Sequence, residues 1–271
     1  METVDNRQII RESQELTSLR LGRTVRLDLF LPAGLEDPTR LSLLLINDGQ
    51  LLDEMQFGAL LGDGYASGRL KPVLCVGIHA GPDRKMEYGV AAQPDFMGRG
   101  ARAAAYTAFV LDELLPFIQG QYRIPAFRDR AFAGFSLGGL MALDIVWNHP
   151  GLFQLAGVFS GSLWWRSLDQ DDPAYRDDHH RIMQQQLRAG AMRPGMRFFF
   201  QCGNKDETQD RNHNGIIDSI DDTLAVIAEL EAKGYRVNQD IYYLEMPEGR
   251  HDPATWAQAM PQFLQWGWGT A

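Results

Sequence analysis

The sequence lacks the long apolar segments that membrane proteins need. The best candidate, Leu41–Ile46, spans six residues, whereas a transmembrane helix requires about 18–20. Positive charge is also not in excess, since 26 Lys and Arg face 35 Asp and Glu, which gives a net charge of −9. So acidic a chain is poorly suited to binding nucleic acid or an anionic membrane surface. The sequence therefore excludes a membrane span and argues against both classes of partner.

Cysteine is scarce, and the amino terminus shows no leader. Cys75 and Cys202 lie in separate apolar runs without CxxC or zinc-ligand spacing, which favours two buried free thiols over a disulfide framework. The first residues, Met-Glu-Thr-Val-Asp-Asn, lack the basic and apolar regions of a secretory signal. We therefore expect a cytoplasmic protein, and no feature of the sequence indicates its oligomeric state.

Hydrophobic residues make up 45% and charged residues 23% of the 271 residues, as in ordinary folded chains. Thr24–Leu31 alternates apolar and polar residues, which predicts a half-buried strand near a sheet edge. Buried strands are expected at 41–46, 73–78, 131–133, 155–159 and 198–200, and helices at 101–119, 140–148, 182–187, 223–233 and 255–266. This alternation predicts one α/β domain over residues 1–271, with a mostly parallel sheet flanked by helices.

One pentapeptide carries the pattern of a catalytic serine. Gly134-Phe135-Ser136-Leu137-Gly138 matches G-x-S-x-G, and it lies between a short apolar strand and a helix start. This is the setting in which a serine occupies a strained turn above a sheet. Small residues are expected at 134 and 138 because that turn brings backbone segments close together. The sequence therefore predicts Ser136 as a nucleophile.

A serine hydroxyl needs a base and an orienting acid, which follow it in the order Asp or Glu and then His. Among the six histidines, only His251 lies after the last strand-like run, Ile241–Leu244. The acid should follow the apolar run that ends near Gln201, where both Asp206 and Glu207 occur, and Asp206 is preferred. Its expected role is to hold the imidazole in the correct tautomer.

The order of motifs resembles the esterase D and enterochelin esterase branch of the α/β-hydrolases, to which the mycolyltransferases are also related. The resemblance covers nearly the whole chain and is carried by residues 18–23, 45–50, 76–79, 84–88, 121–123, 134–139, 160–165 and 249–252. It implies an α/β-hydrolase fold with a small lid, and a serine esterase that needs no cofactor for catalysis. It also implies an oxyanion hole formed by the backbone N–H of Leu137 and that of Gln50 or Leu51.

Two further segments are candidates for the rim of the site. Trp164 and Trp165 follow a strand at the edge where such sheets bind ligands, and they are candidates for an acyl or aryl pocket, with one of them alternatively in the core. Arg84, Glu87 and Tyr88 are interpreted as a structural cluster held by Arg–Glu pairing. No basic cluster demanding a strongly anionic ligand is evident in the sequence.

Residues 210–221 match D-x-N-x-N-G-x-x-D-x-x-D, a pattern close to the calcium loop of EF-hands. The candidate ligands are Asp210, Asn212, Asn214, the main chain of Ile216, Asp218 and Asp221. Calcium would be structural and would stiffen the loop that carries Asp206. The alternative is a loop that orders itself through Asx turns without metal.

These observations predict a serine hydrolase that acts on small-molecule carboxylic esters through an acyl-enzyme. Siderophore esters, feruloyl and acetyl sugars and small thioesters are the substrates that the resemblance implies, and the tryptophan pair favours short-chain or aryl esters. An acyltransferase with the same triad is the first alternative, because it differs only in the acceptor that reaches the acyl-enzyme. A non-catalytic binding module on the same fold is the second.

Overall fold

An eight-stranded sheet runs through the residues that the computed structural model describes, which are 8–35, 37 and 40–270. The strands are β1 (Ile9–Ser18), β2 (Arg23–Pro32), β3 (Ser42–Asn47), β4 (Val73–Ile78), β5 (Arg130–Phe135), β6 (Leu155–Phe159), β7 (Arg197–Lys205) and β8 (Ile241–Arg250). The helices are α1 (Phe57–Ala66), α2 (Arg84–Glu87), α3 (Ala103–Ala108), α4 (Leu115–Tyr122), α5 (Leu137–Asn148), α6 (Asp177–His180), α7 (Ile182–Ala189), α8 (Asp218–Ala232) and α9 (Pro253–Trp268).

The strand order places the segments expected to carry chemistry at one edge of the sheet. The order is β1-β2-β4-β3-β5-β6-β7-β8, with β1 and β2 antiparallel to their neighbours and all later pairs parallel. Because parallel strands end on the same side, the loops that follow β3, β5, β6, β7 and β8 meet there. This is the α/β-hydrolase architecture that the sequence predicts.

Helices bury both faces of the sheet, which explains the continuous apolar runs of its central strands. One face packs against α3, α4, α5, α7 and α8, and the other packs against α1 and α9. In β3 every residue is buried, and Leu43 and Leu45 face one core while Leu44 and Ile46 face the other. A strand covered on both faces has no polar side to alternate with its apolar one.

The expected helix at 101–119 is instead three consecutive segments. A π-helical turn at Phe109–Leu114 separates α3 from α4, and Pro116 lies at the start of α4. Proline has no N–H to donate and its ring crowds the carbonyl four residues earlier, so a wider turn before it relieves both problems. The sequence pattern also missed β1, in which most residues are partly or fully exposed, and α1, whose ten residues include three glycines.

The segment between β6 and β7 forms a small cap that arginine–aspartate pairs fix to α8. Arg181 and Arg211 both pair with the buried Asp222 of α8, at 2.8 and 2.6 Å. Arg211 also pairs with Asp177 of α6 at 3.1 Å. Asp177, one of several acidic residues in this segment, is therefore not simply solvated, because it helps to fix the cap to α8.

Two other expectations concern the interior and the membrane. Cys75 and Cys202 are both buried free thiols, as the apolar runs around them indicate. Burial raises the pKa of the Cys202 thiol to about 12, so it stays protonated at neutral pH. Within residues 8–35, 37 and 40–270, no helix has the length and apolar character needed to cross a bilayer.

The close approach of α9 to the sheet generates a first prediction. A Cβ added to Gly157 of β6 would lie 2.7 Å from Phe263 Cζ and 2.9 Å from Ala133 Cβ. We expect Gly157→Ala to lower the free energy of unfolding by about 1–3 kcal/mol, since overpacking a full core forces neighbours to move. Urea denaturation measures this change.

Gly151→Ala is the matched control, because nothing lies within 4 Å of the added Cβ. It should change the free energy of unfolding by no more than about 0.5 kcal/mol. Equal unfolding midpoints for the two variants would contradict the close packing of α9 on β6.

Candidate active site

Ser136 occupies a strained turn between β5 and α5. Its φ of 55° and ψ of −121° lie where few side-chain-bearing residues are found. A Cβ on Gly134 would lie 2.4 Å from the carbonyl carbon of Gly138, so the need for small residues at these positions is confirmed. The Ser136 N–H donates to Phe159 O at 2.9 Å, which ties the turn to β6.

The end of β3 and the loop that follows it pack against this turn. The Asn47 side chain donates to Gly138 O at 2.8 Å, and Tyr106 Oη donates to Asn47 Oδ1 at 2.6 Å. Asp48 is buried, and a Cβ on Gly138 would approach its Oδ2 to 2.6 Å. The catalytic turn and the loop after β3 therefore form one packed unit.

Arg84 pairs with Asp48 rather than with the acid expected from the sequence. Its Nε and Nη2 donate to the two oxygens of Asp48 at 2.6 and 2.7 Å. Glu87 instead accepts hydrogen bonds from Nε and Nη2 of Arg23, at 2.9 and 2.6 Å. The predicted Arg84–Glu87 pairing is wrong, because the short helix α2 directs its first and last side chains to different partners.

Ser136, Asp206 and His251 line a single cleft of about 400 Å³. This volume is within the range of small-molecule sites. Asp206 follows β7 directly, and His251 lies between the end of β8 and the start of α9. A larger groove of about 730 Å³ between α1 and α9 contains none of these three residues. The structure thus brings the predicted nucleophile, base and acid to one place, although no hydrogen bond joins them among the described residues.

Asp206 is a carboxylate kept partly out of water. Its two oxygens are buried, and neither has a hydrogen-bond partner of regular geometry in the described part of the chain. Burial raises its pKa, while the Ser160 hydroxyl, the Gly203 N–H and the charge of His251 act in the opposite direction. An unpaired buried acceptor of this kind is available to an imidazole N–H.

His251 has an environment that favours the neutral imidazole. Loss of hydration around the ring lowers its pKa; the Asp206 charge opposes this shift and Arg84 reinforces it. The ring contacts Trp256 edge to face, with centroids 5.3 Å apart. A neutral imidazole at neutral pH is the form that can accept a proton.

Trp256 and Ser160 are supporting residues that sequence reasoning missed. The indole N–H of Trp256 donates to Ser160 Oγ at 2.9 Å, and its ring stacks on Phe135 at 4.9 Å. Trp256 thereby connects the ends of β5 and β6 to His251. In the sequence it is one aromatic among several on α9, so no local pattern distinguishes it.

Ser162 is a second residue that sequence reasoning missed, and it contacts the predicted nucleophile, Ser136. Its Oγ lies 3.2 Å from Ser136 Oγ, and its N–H donates to Ser136 O at 3.1 Å. Ser162 is almost fully buried at 4% exposure. A small hydroxyl after β6 gives no sequence signal, because its role depends on the register between β5 and β6.

The oxyanion candidates differ in whether their N–H groups are free. The Leu137 N–H has no acceptor among the described residues, as expected at the first turn of a helix, and Leu137 lines the cleft. The Leu51 N–H donates to Asp48 O at 3.0 Å, whereas Gln50 has no such bond. Of the two alternatives after β3, Gln50 is the one whose N–H is free among the described residues, and neither residue lines the cleft.

The two tryptophans have separate positions. Trp165 is fully buried against Gly89 and Gly100 and does not line the cleft, so its assignment to a substrate pocket is wrong. Trp164 lines the cleft, but the Arg99 guanidinium lies 4.8 Å from its ring centroid. Cation–π packing therefore occupies a face of Trp164 that was expected to contact substrate.

The 210–221 loop is held by its own side chains. Asp210 accepts the N–H groups of Asn214 and Gly215 at 3.1 and 2.9 Å. The amides of Asn212 and Asn214 donate to Asp221 Oδ2 at 2.6 and 3.2 Å. Across the described ranges, no group of three or more His, Cys, Asp or Glu side chains is arranged to hold a metal ion.

Asp218 and Ile216 complete the predicted ligand set. Asp218 is buried and accepts the Arg211 N–H at 2.9 Å, so its carboxylate turns toward that arginine. Ile216 is exposed, and its N–H donates to Asn214 Oδ1 at 2.8 Å. These contacts match the Asx-turn alternative, and they leave Asp210 and Asp221 as the carboxylates that gather with the two asparagines.

Comparison with known proteins places the chain in a recognised group. The model of the Esterase family, described as "Putative esterase", matches residues 18–266. The uncharacterized protein YbbA of Bacillus subtilis (strain 168) is 25% identical over 149 residues, which are 52% of this chain and 58% of that protein.

Solved structures share the fold at low identity. An enterobactin esterase from Shigella flexneri aligns with a TM-score of 0.69 and 22% identity, covering 95% of this chain and 59% of its own. An IroE-like serine hydrolase from Shewanella oneidensis gives 0.67 and 19%, covering 94% and 79%. A ferulic acid esterase gives 0.65 and 20%, covering 96% and 97%. The chain thus spans under two thirds of YbbA and of the enterobactin esterase.

The ionisation of His251 provides a prediction that does not depend on turnover. We expect its imidazole to titrate below the ordinary value of about 6.5. Because the Asp206 charge raises this pKa, Asp206→Asn should lower it further. The Cε1 proton shift followed by NMR against pH measures both values, and the His251→Gln variant assigns the resonance. An unchanged His251 pKa in Asp206→Asn would show that the carboxylate does not face the ring.

Proposed function

Because the chain belongs to the Esterase family, we propose that it hydrolyses carboxylic esters through an acyl-enzyme on Ser136. One observation carries the proposal: a serine in a strained turn lies in one cleft with a histidine whose pKa is lowered and an unpaired buried carboxylate. Strain of this kind is found where a structure holds a reactive group in place.

The first step is attack of Ser136 Oγ on the acyl carbonyl. His251 takes the hydroxyl proton as the new C–O bond forms, and it then protonates the departing alkoxide. The negative charge that develops on the carbonyl oxygen is stabilised by the N–H groups of Leu137 and Gln50. The first turn of α5 adds the favourable end of the helix dipole at the same point.

Asp206 is proposed as the acid that orients His251. Among the groups that affect the His251 pKa are Asp206 and Asp252, whereas Glu207 is not. Glu207 lies in the same cleft, but it interacts with the Ser219 N–H and with Asp218 and Asp222. Asp252 is engaged as the cap of α9, where it accepts the Thr255 N–H at 2.8 Å. Asp206 is therefore the carboxylate available to the imidazole.

Ser162 is proposed to position the nucleophile. With its Oγ 3.2 Å from Ser136 Oγ, it can donate its own proton and leave the Ser136 hydroxyl proton directed to His251. Water then attacks the acyl-enzyme with His251 again as the base, and Ser136 is released. An alcohol in place of water would give acyl transfer, so added alcohol acceptors and product analysis distinguish hydrolase from acyltransferase.

The substrates proposed are small carboxylic esters, including aryl and siderophore-type esters. The cleft of about 400 Å³ is compatible with a compact ester. Support for the ester class comes from the family and from folds shared with an enterobactin esterase and a ferulic acid esterase.

A structural calcium ion in the 210–221 loop is a separate proposal. Asp210, Asn212, Asn214 and Asp221 gather at the positions that a calcium loop uses, and the Ile216 carbonyl would complete the set. Amide oxygens and carboxylates are hard donors that suit this ion. Calcium would hold the loop between Asp206 and α8, with no part in bond breaking.

Covalent labelling tests the proposed nucleophile. Exposure to a fluorophosphonate should give a single adduct, and peptide mapping should place it on Ser136. Ser136→Ala should abolish both the adduct and ester hydrolysis, while Ser67→Ala, at an exposed serine on the surface, should change neither. His251→Gln and Asp206→Asn should each lower kcat/KM by about 10⁴-fold with folding intact.

Folded protein that forms no adduct would remove the acyl-enzyme mechanism and favour a binding module. A normal rate in Asp206→Asn with a large loss in Glu207→Gln would instead move the acid role to Glu207. Circular dichroism of each variant confirms that the fold is retained.

Chelation tests the calcium proposal. If the loop holds calcium, EDTA should lower the melting temperature by a few degrees, and added CaCl₂ should restore it, because binding to the folded state alone stabilises it. Asp210→Asn combined with Asp221→Asn should remove the response. An unchanged melting temperature, with no calcium by elemental analysis, would leave a loop that orders itself.

A further inference from the structure

Three cationic side chains meet at the catalytic cleft although they are scattered in the sequence. Arg84 and Lys85 belong to α2, and Arg99 lies in the loop before α3. All three line the same cleft as Ser136. The absence of a basic cluster in the sequence was therefore misleading, because the cluster forms only when α2 and the loop before α3 fold against the end of β5.

The Arg99 guanidinium is held in place by its neighbours, and its Nη1 edge makes no hydrogen bond with a described residue. Its Nε donates to Asp95 Oδ2 at 2.6 Å, its Nη2 pairs with the same carboxylate, and Asp95 is buried. The guanidinium also packs on Trp164 at 4.8 Å. No described residue accepts a hydrogen bond from Nη1. A fixed guanidinium edge loses little conformational entropy when it binds an oxyanion.

Arg84 has a similar arrangement closer to the catalytic turn. Its Nε and Nη2 donate to the Asp48 carboxylate, and Nη2 also donates to Phe135 O at 3.3 Å. Its charge is thus balanced by a buried carboxylate, and it affects the His251 pKa at the same time. Arg84 therefore belongs to the framework of the site, and the recognition of a further group falls to its neighbours.

Lys85 is a cation that forms no ion pair among the described residues. Its side chain is exposed and makes no hydrogen bond or ion pair with any described residue. The acidic residues that line the cleft are Asp206 and Glu207, both from the segment after β7. Asp206 is assigned to His251, and the cations that line the cleft and can attract an anion come from α2 and from Arg99.

We infer that this enzyme prefers esters that carry an anionic group, which Lys85 and the free edge of Arg99 bind while the ester carbonyl lies at Ser136. The ligand chemistry is a carboxylate or another anionic oxygen on a small ester. The inference rests on the proposed ester hydrolysis at Ser136 and names its substrate class. The two cations have different roles: the fixed guanidinium of Arg99 orients the anionic group by hydrogen bonding, and the unpaired ammonium of Lys85 attracts it by charge.

Two pairs of esters, matched in size, test the preference on each side of the scissile bond. The first pair is 3-acetoxybenzoate and 3-acetoxybenzamide, which differ in charge on the leaving group. The second is mono-4-nitrophenyl succinate and 4-nitrophenyl butyrate, which differ in charge on the acyl group. For each pair, the readout is the ratio of kcat/KM for the anionic ester to that for the neutral ester.

Lys85→Glu should lower this ratio by about tenfold or more in at least one pair, and Lys85→Gln should lower it less, since charge reversal adds repulsion to the lost attraction. The wild-type ratio should also fall as salt rises from 20 to 300 mM, with a weaker response in Lys85→Glu. Lys71→Glu is the matched control, because Lys71 is exposed at the start of β4, far from the cleft, and the change in net charge is identical.

The outcomes separate this inference from the proposed function. An equal ratio in wild type and Lys85→Glu for both pairs, with the esters hydrolysed, overturns the anionic preference and leaves ester hydrolysis in place. An equal fall in Lys85→Glu and Lys71→Glu also overturns it, because the effect would then come from overall charge. No hydrolysis of any of the four esters and no adduct on Ser136 would overturn the proposed function itself.

Discussion

The ion pair between the buried Asp48 and the half-buried Arg84 is the interaction on which the proposed catalytic edge of the sheet depends. Asp48 follows β3 directly and lies against Gly138, while Arg84 reaches from α2 to Asp48 and to the carbonyl of Phe135, beside Ser136. One ion pair thus joins β3, α2 and the catalytic turn. Breaking such a pair leaves an uncompensated buried charge, which costs about 3–5 kcal/mol. The proposed oxyanion donor at Gln50 and the cationic end of the cleft both depend on this contact, because Asp48 and Arg84 lie next to them.

The proposed acid and base, Asp206 and His251, are positioned by a different feature, a close approach between the last two strands. A Cβ on Gly203 would lie 2.3 Å from the carbonyl of Gly249 and 2.8 Å from Asp206 Oδ1. The pairing of β7 and β8 shifts register between Gly203 and Lys205. Such an irregularity bends the strand and redirects the residues after it. Two glycines, Gly203 and Gly249, therefore allow the close approach that directs Asp206, the proposed acid, into the cleft, while strand pairing resumes at Lys205.

Local features of the site were predictable from the sequence, and features made by distant segments were not. The turn at Ser136 was predictable because its strand, glycines and helix start are contiguous in the sequence. His251 was predictable because it is the histidine that follows the last strand. Ser162 and Lys85 have no local signature, since their importance comes from which strands and loops become neighbours. The same reason explains Trp165: adjacent tryptophans in a loop look alike, and only the packing of Trp165 on Gly89 and Gly100 separates core from rim. In the fold, β1 was missed because its faces are both partly polar.

The 210–221 loop contains its own cation, Arg211, which competes with the calcium ion proposed for that loop. Arg211, at the second position of the loop, pairs with Asp218 at 3.3 Å, with Asp222 at 2.6 Å and with Asp177 at 3.1 Å. One predicted ligand, Asp218, is thereby neutralised, and Asp210 and Asp221 remain as the carboxylates free to face an ion. Since calcium affinity in such loops rises with ligand charge, two carboxylates favour weaker binding than the full predicted ligand set would give. Arg211 therefore fixes the cap to α8 with or without calcium, and an ion would act only on the outer turn of the loop.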